Sequence, residues 1–299
     1  MAIVTTDNQH YTDIAAAIRS KNGTETQYKP SEMAAAISAI SGGGEPEPPD
    51  EGKTRLYITI PANAMPDRPP PRNQVPLYIQ QTVANGVTID WGDGTAPETL
   101  PGTGMVNTKH IYEKPGEYII SLDPIDKCEL DFGGYSGETI LGNYLSGYTA
   151  LIKKVFFGKN IQQLNRGSFK GLDNINEIRF SSGIKEIKNE VFYKCLSVTS
   201  LYLNEGLQTI ASNAFYGDVN IGSVVIPKSV KEIGRSAFNW LASTTEFHFL
   251  SQTPPTLSGD DVFDYRADNI YYVPKGSLET YQKATNYAPI ADKIQEEPA

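Results

Sequence analysis

Cysteine and histidine are both scarce in this 299-residue chain. It contains two cysteines, Cys128 and Cys195, which are too few for a disulfide framework and lack the spacing of a metal site. We therefore expect two buried thiols. The three histidines, His10, His110 and His248, lie far apart in the sequence. We expect no metal site and no cofactor.

Long apolar runs and an excess of basic residues are also missing. No apolar run approaches the roughly 18 residues of a membrane-spanning helix, so we expect no membrane insertion. The first residues, MAIVTTDNQH, lack the basic start and apolar stretch of a signal peptide. Lys and Arg number 26 against 35 Asp and Glu, without a basic cluster, so nucleic acid is not an expected partner.

No catalytic set can be assembled from the sequence. Neither a Ser-His-Asp nor a Cys-His arrangement is evident, and acidic pairs such as Asp260–Asp261 fall in predicted loops. Asp90 and Asp93 fit a calcium-binding loop or a hairpin turn, and the turn explains them more simply. We predict a protein that is not an enzyme.

A 23-residue repeat occupies residues 152–243. The four consecutive blocks begin at residues 152, 175, 198 and 221. Each block has apolar residues at the same positions. The two columns at the start of the blocks are Val155, Ile178, Leu201, Val224 and Phe157, Phe180, Leu203, Ile226. A fixed period of this length predicts a solenoid, in which each coil buries its apolar side against its neighbours.

The pattern inside a block predicts the path of one coil. Two apolar residues at spacing two indicate a short strand, a Gly or Pro then turns the chain, and a second apolar pair returns. A phenylalanine closes each block. The members of this column are Phe169, Phe192, Phe215 and Phe238. We expect these rings to stack as a ladder along the solenoid axis.

The blocks resemble the BspA-type leucine-rich repeat. Residues 224–238, VVIPKSVKEIGRSAF, follow its pattern L-x-x-I-x-I-P-x-x-V-x-x-I-G-x-x-A-F, and Cys195 stands at its cysteine position. Residues 251–294 resemble the degenerate last repeat and capping helix of such proteins. The resemblance implies a solenoid over residues 129–299, with 129–151 as its N-terminal cap. It implies a display surface rather than a chemistry.

Two motifs predict an antiparallel sandwich before the repeats. In VTIDWGDGT (87–95) alternate residues are apolar and an Asp-Gly turn follows, and KHIYEKPGEYIISL (109–122) carries a Pro-Gly turn. These segments resemble the W-x-F-G-D-G-T and H-x-Y-x-x-P-G-x-Y motifs of PKD-type immunoglobulin-like domains. We place this domain at residues 54–128. The resemblance implies a module that spaces or presents other modules.

The N-terminal segment predicts two short helices, YTDIAAAIRSKNG and KPSEMAAAISAISGGG. At about 9 residues each they are too short to be stable alone and must pack on themselves, on copies or on a partner. The residues of their apolar stripes are Ile14, Ile18, Met33, Ile37 and Ile40. Residues 13–37 resemble the N-terminal segment of tail and appendage proteins of phages of Gram-positive bacteria. Residues 1–41 are thus predicted to attach and oligomerise the chain, and residues 42–53 to form a linker.

One row of repeat residues is a predicted partner surface. Tyr202 lies between Leu201 and Leu203 on a predicted strand and should point outward. The row formed with its equivalents consists of Phe156, Arg179, Tyr202 and Val225. Aromatic and Arg side chains are frequent interface anchors. The alternative is an exposed row that serves only solubility or packing between neighbours.

Taken in order, these segments predict a multidomain, mainly β protein: a short N-terminal helical hairpin, a PKD-like Ig-like sandwich and a BspA-type solenoid with a 23-residue period. The module order indicates a non-enzymatic phage virion protein, a tail, baseplate or fibre component assembled in the host cytoplasm. Its expected partners are other virion proteins and its own copies, as in a trimer, and a host-surface glycan or protein. The alternatives are a bacterial cell-surface or secreted leucine-rich-repeat adhesin, and a virion decoration (head fibre) protein without a receptor.

Overall fold

The computed structural model describes residues 52–62, 73–125, 128–132, 139–141, 151–218, 220–241 and 245–298. The predicted N-terminal hairpin, with Ile14, Ile18, Met33, Ile37 and Ile40, lies outside these residues. The described chain is mainly β, as predicted, with one α-helix and one 3-10 helix. Neither helix has the length and apolar character needed to cross a bilayer.

The front part of the chain forms antiparallel strands. Their bounds are β1 Thr54–Ile60, β2 Gln74–Gln81, β3 Val87–Asp90, β4 Glu98–Thr99, β5 Gly104–Ile111, β6 Gly116–Pro124 and β7 Leu130–Phe132. Strands β1, β6, β3 and β4 pair in one sheet, and β7, β2 and β5 pair in another. Alternate residues are buried, because successive side chains of a strand point to opposite faces. Val87, Ile89 and Trp91 share the buried face, as their spacing predicted.

Residues 152–257 coil as the 23-residue period predicted. The strands are β8 Ile152–Phe156, β9 Ile161–Leu164, β10 Glu177–Arg179, β11 Glu186–Ile187, β12 Ser200–Tyr202, β13 Thr209–Ile210, β14 Ser223–Ile226, β15 Glu232–Ile233, β16 Glu246–Phe249 and β17 Thr256–Leu257. Neighbouring coils pair in parallel at an offset of 23, as in Glu177 with Ser200 and Thr209 with Glu232. The apolar columns of the repeat line the interior.

Both sheets of the front part continue into the coils. One sheet has the order β12-β10-β8-β1-β6-β3-β4, and the other the order β17-β15-β13-β11-β9-β7-β2-β5. Strand β1 pairs with β8 in antiparallel fashion, with Arg55 opposite Phe156, and β7 pairs with β9 in parallel. The hydrogen-bonded sheets therefore run without a break from the front strands into the first coil.

A third sheet and two short helices close the other end. The sheet contains β14, β16, β18 (Ile270–Val273) and β19 (Ile294–Glu296). Helix α1 (Leu278–Gln282) and the 3-10 helix Ala288–Lys293 bring in the buried rings of Tyr281 and Tyr287. The Tyr281 hydroxyl donates to the Ser251 carbonyl at 2.8 Å, and that of Tyr287 to the Pro255 carbonyl at 3.0 Å. These hydrogen bonds tie the C-terminal segment to the loop between β16 and β17.

The phenylalanine ladder is present in the core. Ring centroids are 5.2 Å apart between Phe169 and Phe192, 5.5 Å between Phe192 and Phe215, and 5.4 Å between Phe215 and Phe238. The last ring stacks on Phe263 of the following coil at 6.0 Å. Each ring is buried and the pairs are nearly parallel, which confirms the predicted stack.

The two cysteines are free and buried, as expected. Burial raises the pKa of the Cys195 thiol well above its usual value, and the nearby Asp218 raises it further. Asp218 is itself fully buried, which raises the pKa of its carboxyl, and its Oδ1 accepts a hydrogen bond from the Cys195 amide at 2.8 Å. Cys195 is therefore a protonated packing residue.

Candidate partner surface

The predicted row of Phe156, Arg179 and Tyr202 is brought together by the strand register. Arg179 lies opposite Phe156 on one side and opposite Tyr202 on the other. All three side chains lie on the outer face of the sheet, because they follow the inward-facing column of Val155. The Arg179 guanidinium carbon is 4.8 Å from the centroid of each ring. The cation is thus held between two aromatic faces, a favourable arrangement.

One end of this row is covered, which differs from the expected exposure. Phe156 is 1% exposed and Arg179 is 8% exposed. The ring of Tyr57, on β1, lies 5.0 Å from that of Phe156. Tyr57 covers Phe156 because β1 pairs with β8. The alternation of apolar and polar residues in either segment does not reveal this pairing.

An ion-pair cluster fixes Arg179 in this position. The Glu177 carboxylate accepts from Arg179 at 2.6 Å and from the Lys154 ammonium at 2.9 Å. Glu177 and Arg179 lie on the same face of β10 because they are two residues apart. The guanidinium is therefore oriented by a carboxylate on one side and by two rings above and below.

The row continues beyond the residues named from the sequence. Tyr202 and Val225 are half-buried, and the register then places His248 opposite Val225 and Tyr272 opposite His248. The His248 ring stacks on Tyr272 at 4.8 Å. His248 follows Val225 by 23 residues, so the repeat period extended by one block would have found it. We call Phe156, Arg179, Tyr202, Val225, His248 and Tyr272 the strand-face row.

His248 is held between two carboxylates. Its Nδ1 lies 2.8 Å from the Glu297 Oε1, and its Nε2 lies 3.6 Å from the Glu246 Oε2. Burial by itself would lower the pKa of His248. The hydrogen bonds and negative charges of Glu246 and Glu297 outweigh burial and raise the pKa to about 9. The imidazolium therefore ties β16 to the residue that follows β19.

Replacing His248 by Gln should destabilise the protein in a pH-dependent way. The folded-state pKa of about 9 exceeds the unfolded value of 6.5, so the stabilisation is complete below about pH 6.5 and is lost as the pH rises through about 9. The free energy of unfolding should differ between the two proteins by on the order of 3 kcal/mol at pH 6, and by much less at pH 10. Urea unfolding at pH 6, 8 and 10 measures this. A difference that stays constant with pH would show that His248 is not charged in the fold.

The two front-part motifs meet in a buried aromatic cluster. The Trp91 ring stacks on His110 at 4.9 Å, and the Tyr112 hydroxyl donates to the Trp91 carbonyl at 2.8 Å. His110 Nε2 lies 2.7 Å from the Asp93 Oδ2. His110 thus packs on the Trp91 ring and is hydrogen-bonded to Asp93.

The Asp93 carboxylate is occupied within its own turn. Its Oδ1 accepts from the Thr95 amide at 3.0 Å and from the Thr95 hydroxyl at 2.6 Å. Partial burial would raise the pKa of Asp93, but the hydrogen bonds from Thr95 and His110 lower it to about 2. These bonds support the turn interpretation of Asp93. Over the described ranges, no cluster of three or more His, Cys, Asp or Glu side chains could hold a metal ion.

Two solved structures are similar to part of this chain. A leucine-rich repeat protein from Bacteroides ovatus is 18% identical, with a TM-score of 0.34 over 42% of this chain and 37% of that one. The pneumococcal vaccine antigen PcpA is 15% identical, with a TM-score of 0.38 over 58% of this chain and 46% of that one. The matched part is thus less than half of the length of each of these two solved structures. A comparison with curated proteins gave no match.

A family model agrees with the coils seen in the structure. The model of the BspA type leucine rich repeat region matches residues 139–266 in six copies. This range contains the 23-residue coils and their phenylalanine ladder. Residues 139–266 are therefore a BspA-type leucine-rich-repeat region.

Proposed function

We propose that this chain is a non-enzymatic structural protein of a phage virion, a tail, baseplate or fibre component that presents its repeats to the host surface. The observation that carries the recognition role is the strand-face row. It sets aromatic, cationic and imidazole side chains side by side along the outer face of successive coils, with Tyr202 and Tyr272 half-buried and accessible in part. Such residues are frequent anchors for a macromolecular partner.

The front strands serve as a spacer in this proposal. The contacts among Trp91, His110 and Tyr112 are those expected if the segment is a PKD-like domain, because they join its two motifs. The shared sheets hold the repeats directly against this spacer. The recognition surface would thus be carried at a fixed orientation relative to the front part.

The segment 1–41 attaches the chain to other virion proteins and to its own copies. The resemblance of residues 13–37 to phage appendage proteins and the stripe of Ile14, Ile18, Met33, Ile37 and Ile40 support this role. We expect a chain lacking residues 1–53 to be monomeric and the full chain to be a multimer, such as a trimer. Multi-angle light scattering of the two proteins measures their masses. Monomers in both cases would exclude self-assembly through this segment.

Immunogold electron microscopy tests the virion assignment. An antibody against residues 129–299 is applied to an induced lysate of the source strain, with preimmune serum as the control. The proposal requires gold on phage particles, and the position of the gold separates tail from head. Bare particles beside gold-labelled cell envelopes would refute it.

That second outcome corresponds to a bacterial cell-surface or secreted adhesin. This second candidate rests on the BspA-type repeats of residues 139–266, the part of the chain that a family model matches. Binding of the labelled full chain to host cells would distinguish the virion component with a recognition surface and the bacterial adhesin from a decoration protein without a receptor. Tyr202→Ala should weaken such binding, whereas Tyr78→Ala, at a half-buried tyrosine on β2, is the matched control.

A further inference from the structure

A second row of rings lies on the surface beside the phenylalanine ladder. Tyr193 stacks on Tyr216 at 5.1 Å with an angle of 6° between the rings, and Tyr216 stacks on Trp240 at 5.8 Å and 18°. The Lys170 ammonium lies 4.7 Å from the centroid of the Tyr193 ring. We call these residues, Lys170, Tyr193, Tyr216 and Trp240, the turn-edge row. It lies at the turn that follows each ladder phenylalanine, away from the strand-face row.

Trp240 occupies a backbone position that suits glycine. Its φ is 59°, and the equivalent residues of the three preceding coils, Gly171, Lys194 and Gly217, also have positive φ. L side chains are disfavoured in this region, and glycine is not. The indole is also 57% exposed, whereas tryptophan is usually well buried. The fold thus places its largest side chain at an unfavourable backbone position and leaves much of it in water, a combination associated with functional sites.

The stack of rings ends at Trp240. Phe238 bridges Phe263 in the next coil, so Tyr265 is the register equivalent of Trp240. The Tyr265 ring is 48% exposed and lies 5.5 Å from the Arg266 guanidinium carbon. Within the described ranges, Tyr216 is the one ring that stacks on Trp240. The position of the next ring in the row is therefore open to a ligand.

Polar groups lie on the turn that carries Trp240 and on the facing turn of the next coil. The Asn239 amide donates to the Asp261 carbonyl at 3.0 Å, and the Asp261 carboxylate accepts from Arg235 at 3.2 Å and from Ser236 at 3.0 Å. Asn239 is the chain neighbour of Trp240, and its amide group can donate to or accept from hydroxyl groups.

A sugar ring fits this arrangement better than a protein surface does. A pyranose with equatorial hydroxyls presents a face of C–H groups, and the electron-rich face of an indole attracts such positively polarised hydrogens. The hydroxyls at the rim of the sugar would meet polar side chains of these turns, such as Asn239. A stable protein interface instead covers about 800 Å² on each partner. In the described coils the exposed large hydrophobic side chains are Leu196, Trp240 and Tyr265, too few to cover such an area.

We propose that Trp240 is the platform of a saccharide-binding site, which takes a β-linked pyranose with equatorial substituents as the next ring of the turn-edge row. The site is additional to the strand-face row. It rests on the proposed function only for the source of the sugar, a host surface.

Tryptophan fluorescence and calorimetry of the full chain test the site. The chain has two tryptophans, of which Trp91 is 2% exposed, so a change caused by an added sugar reports on Trp240. Chitohexaose and cellohexaose are the probes, since both are β-linked with equatorial substituents. We expect a saturable blue shift with at least one of them. In isothermal titration calorimetry, Trp240→Gly should weaken that binding at least ~10-fold.

Two controls separate binding from folding. Trp240→Gly should change Tm by less than about 3 °C, because glycine occupies the same position at Gly171 and Gly217. Tyr78→Ala, at a half-buried tyrosine on β2, should leave the affinity for sugar unchanged. The proposal is overturned if neither probe binds at ~10 mM, or if Trp240→Gly binds as tightly as the natural chain. These results are independent of gold labelling, so failure here would leave the virion assignment standing.

Discussion

Phe215→Ala is expected to lower the free energy of unfolding by about 3–5 kcal/mol. The Phe215 ring is fully buried and stacks on Phe192 at 5.5 Å and on Phe238 at 5.4 Å. Its removal leaves a cavity that the neighbouring coils cannot close, because their spacing is fixed by hydrogen bonds between strands. In a chain of this size the loss corresponds to a decrease in Tm of roughly 8–15 °C, measured by circular dichroism.

The neighbouring Tyr216 is the matched control for this prediction. It is half-buried and stacks on the surface row, so Tyr216→Ala should cost roughly a third as much as Phe215→Ala. A decrease in Tm of less than about 2 °C for Phe215→Ala would contradict its burial in the core. Equal effects of the two substitutions would show that a ladder ring contributes no more to the free energy of unfolding than a half-buried surface ring.

Gly158→Ala should separate the front strands from the first coil, at a cost of about 3 kcal/mol. A Cβ at this position would lie 2.6 Å from the Gly52 carbonyl oxygen and 2.7 Å from the Lys53 carbonyl carbon. Both are backbone atoms and cannot move aside by a rotamer change. The Gly158 amide also donates to the Thr54 hydroxyl at 2.9 Å, a bond that any displacement would weaken.

Gly222→Ala provides the comparison, because a Cβ at Gly222 meets nothing within 4 Å. It should change the free energy of unfolding by less than about 0.5 kcal/mol. Urea unfolding of both variants, followed by limited proteolysis, measures the stability and locates the first cleavage. Cleavage of Gly158→Ala is expected around residues 52–54. A Gly158→Ala protein as stable as Gly222→Ala would show that this close approach is not needed for folding.

The coils were predictable from the sequence because each one repeats the same local pattern. The inward columns and the ladder at Phe215 recur every 23 residues across four blocks, so each of these positions is supported by three others. The continuity of the sheets was not predictable. Strands β1 and β8 are about 100 residues apart, and pairing over that distance leaves no periodic signal in either segment. The cover of Tyr57 on Phe156 was missed for the same reason.

The contacts of the candidate surfaces were likewise predictable only where they follow the repeat period. The contact between Arg179 and Tyr202 follows from the 23-residue offset, whereas the contact between His248 and Glu297 joins a repeat position to a residue beyond the repeats. Trp240 was overlooked because it stands one residue beyond the column of Tyr193 and Tyr216. Its ring reaches that column only through the left-handed backbone at residue 240.

The unbroken sheets have a mechanical consequence for a chain held at one end and bound at the other. Tension along the coil axis is carried by the strand pairs in series, so the shortest pairing yields first. The front strands are joined to the first coil through four residue pairs of β1 with β8 and three of β7 with β9, whereas the next coils are joined through three pairs of β10 with β12 and two of β11 with β13. Under load, neighbouring coils would therefore separate from one another before the first coil separates from the front strands. The junction would then be mechanically stronger than the solenoid.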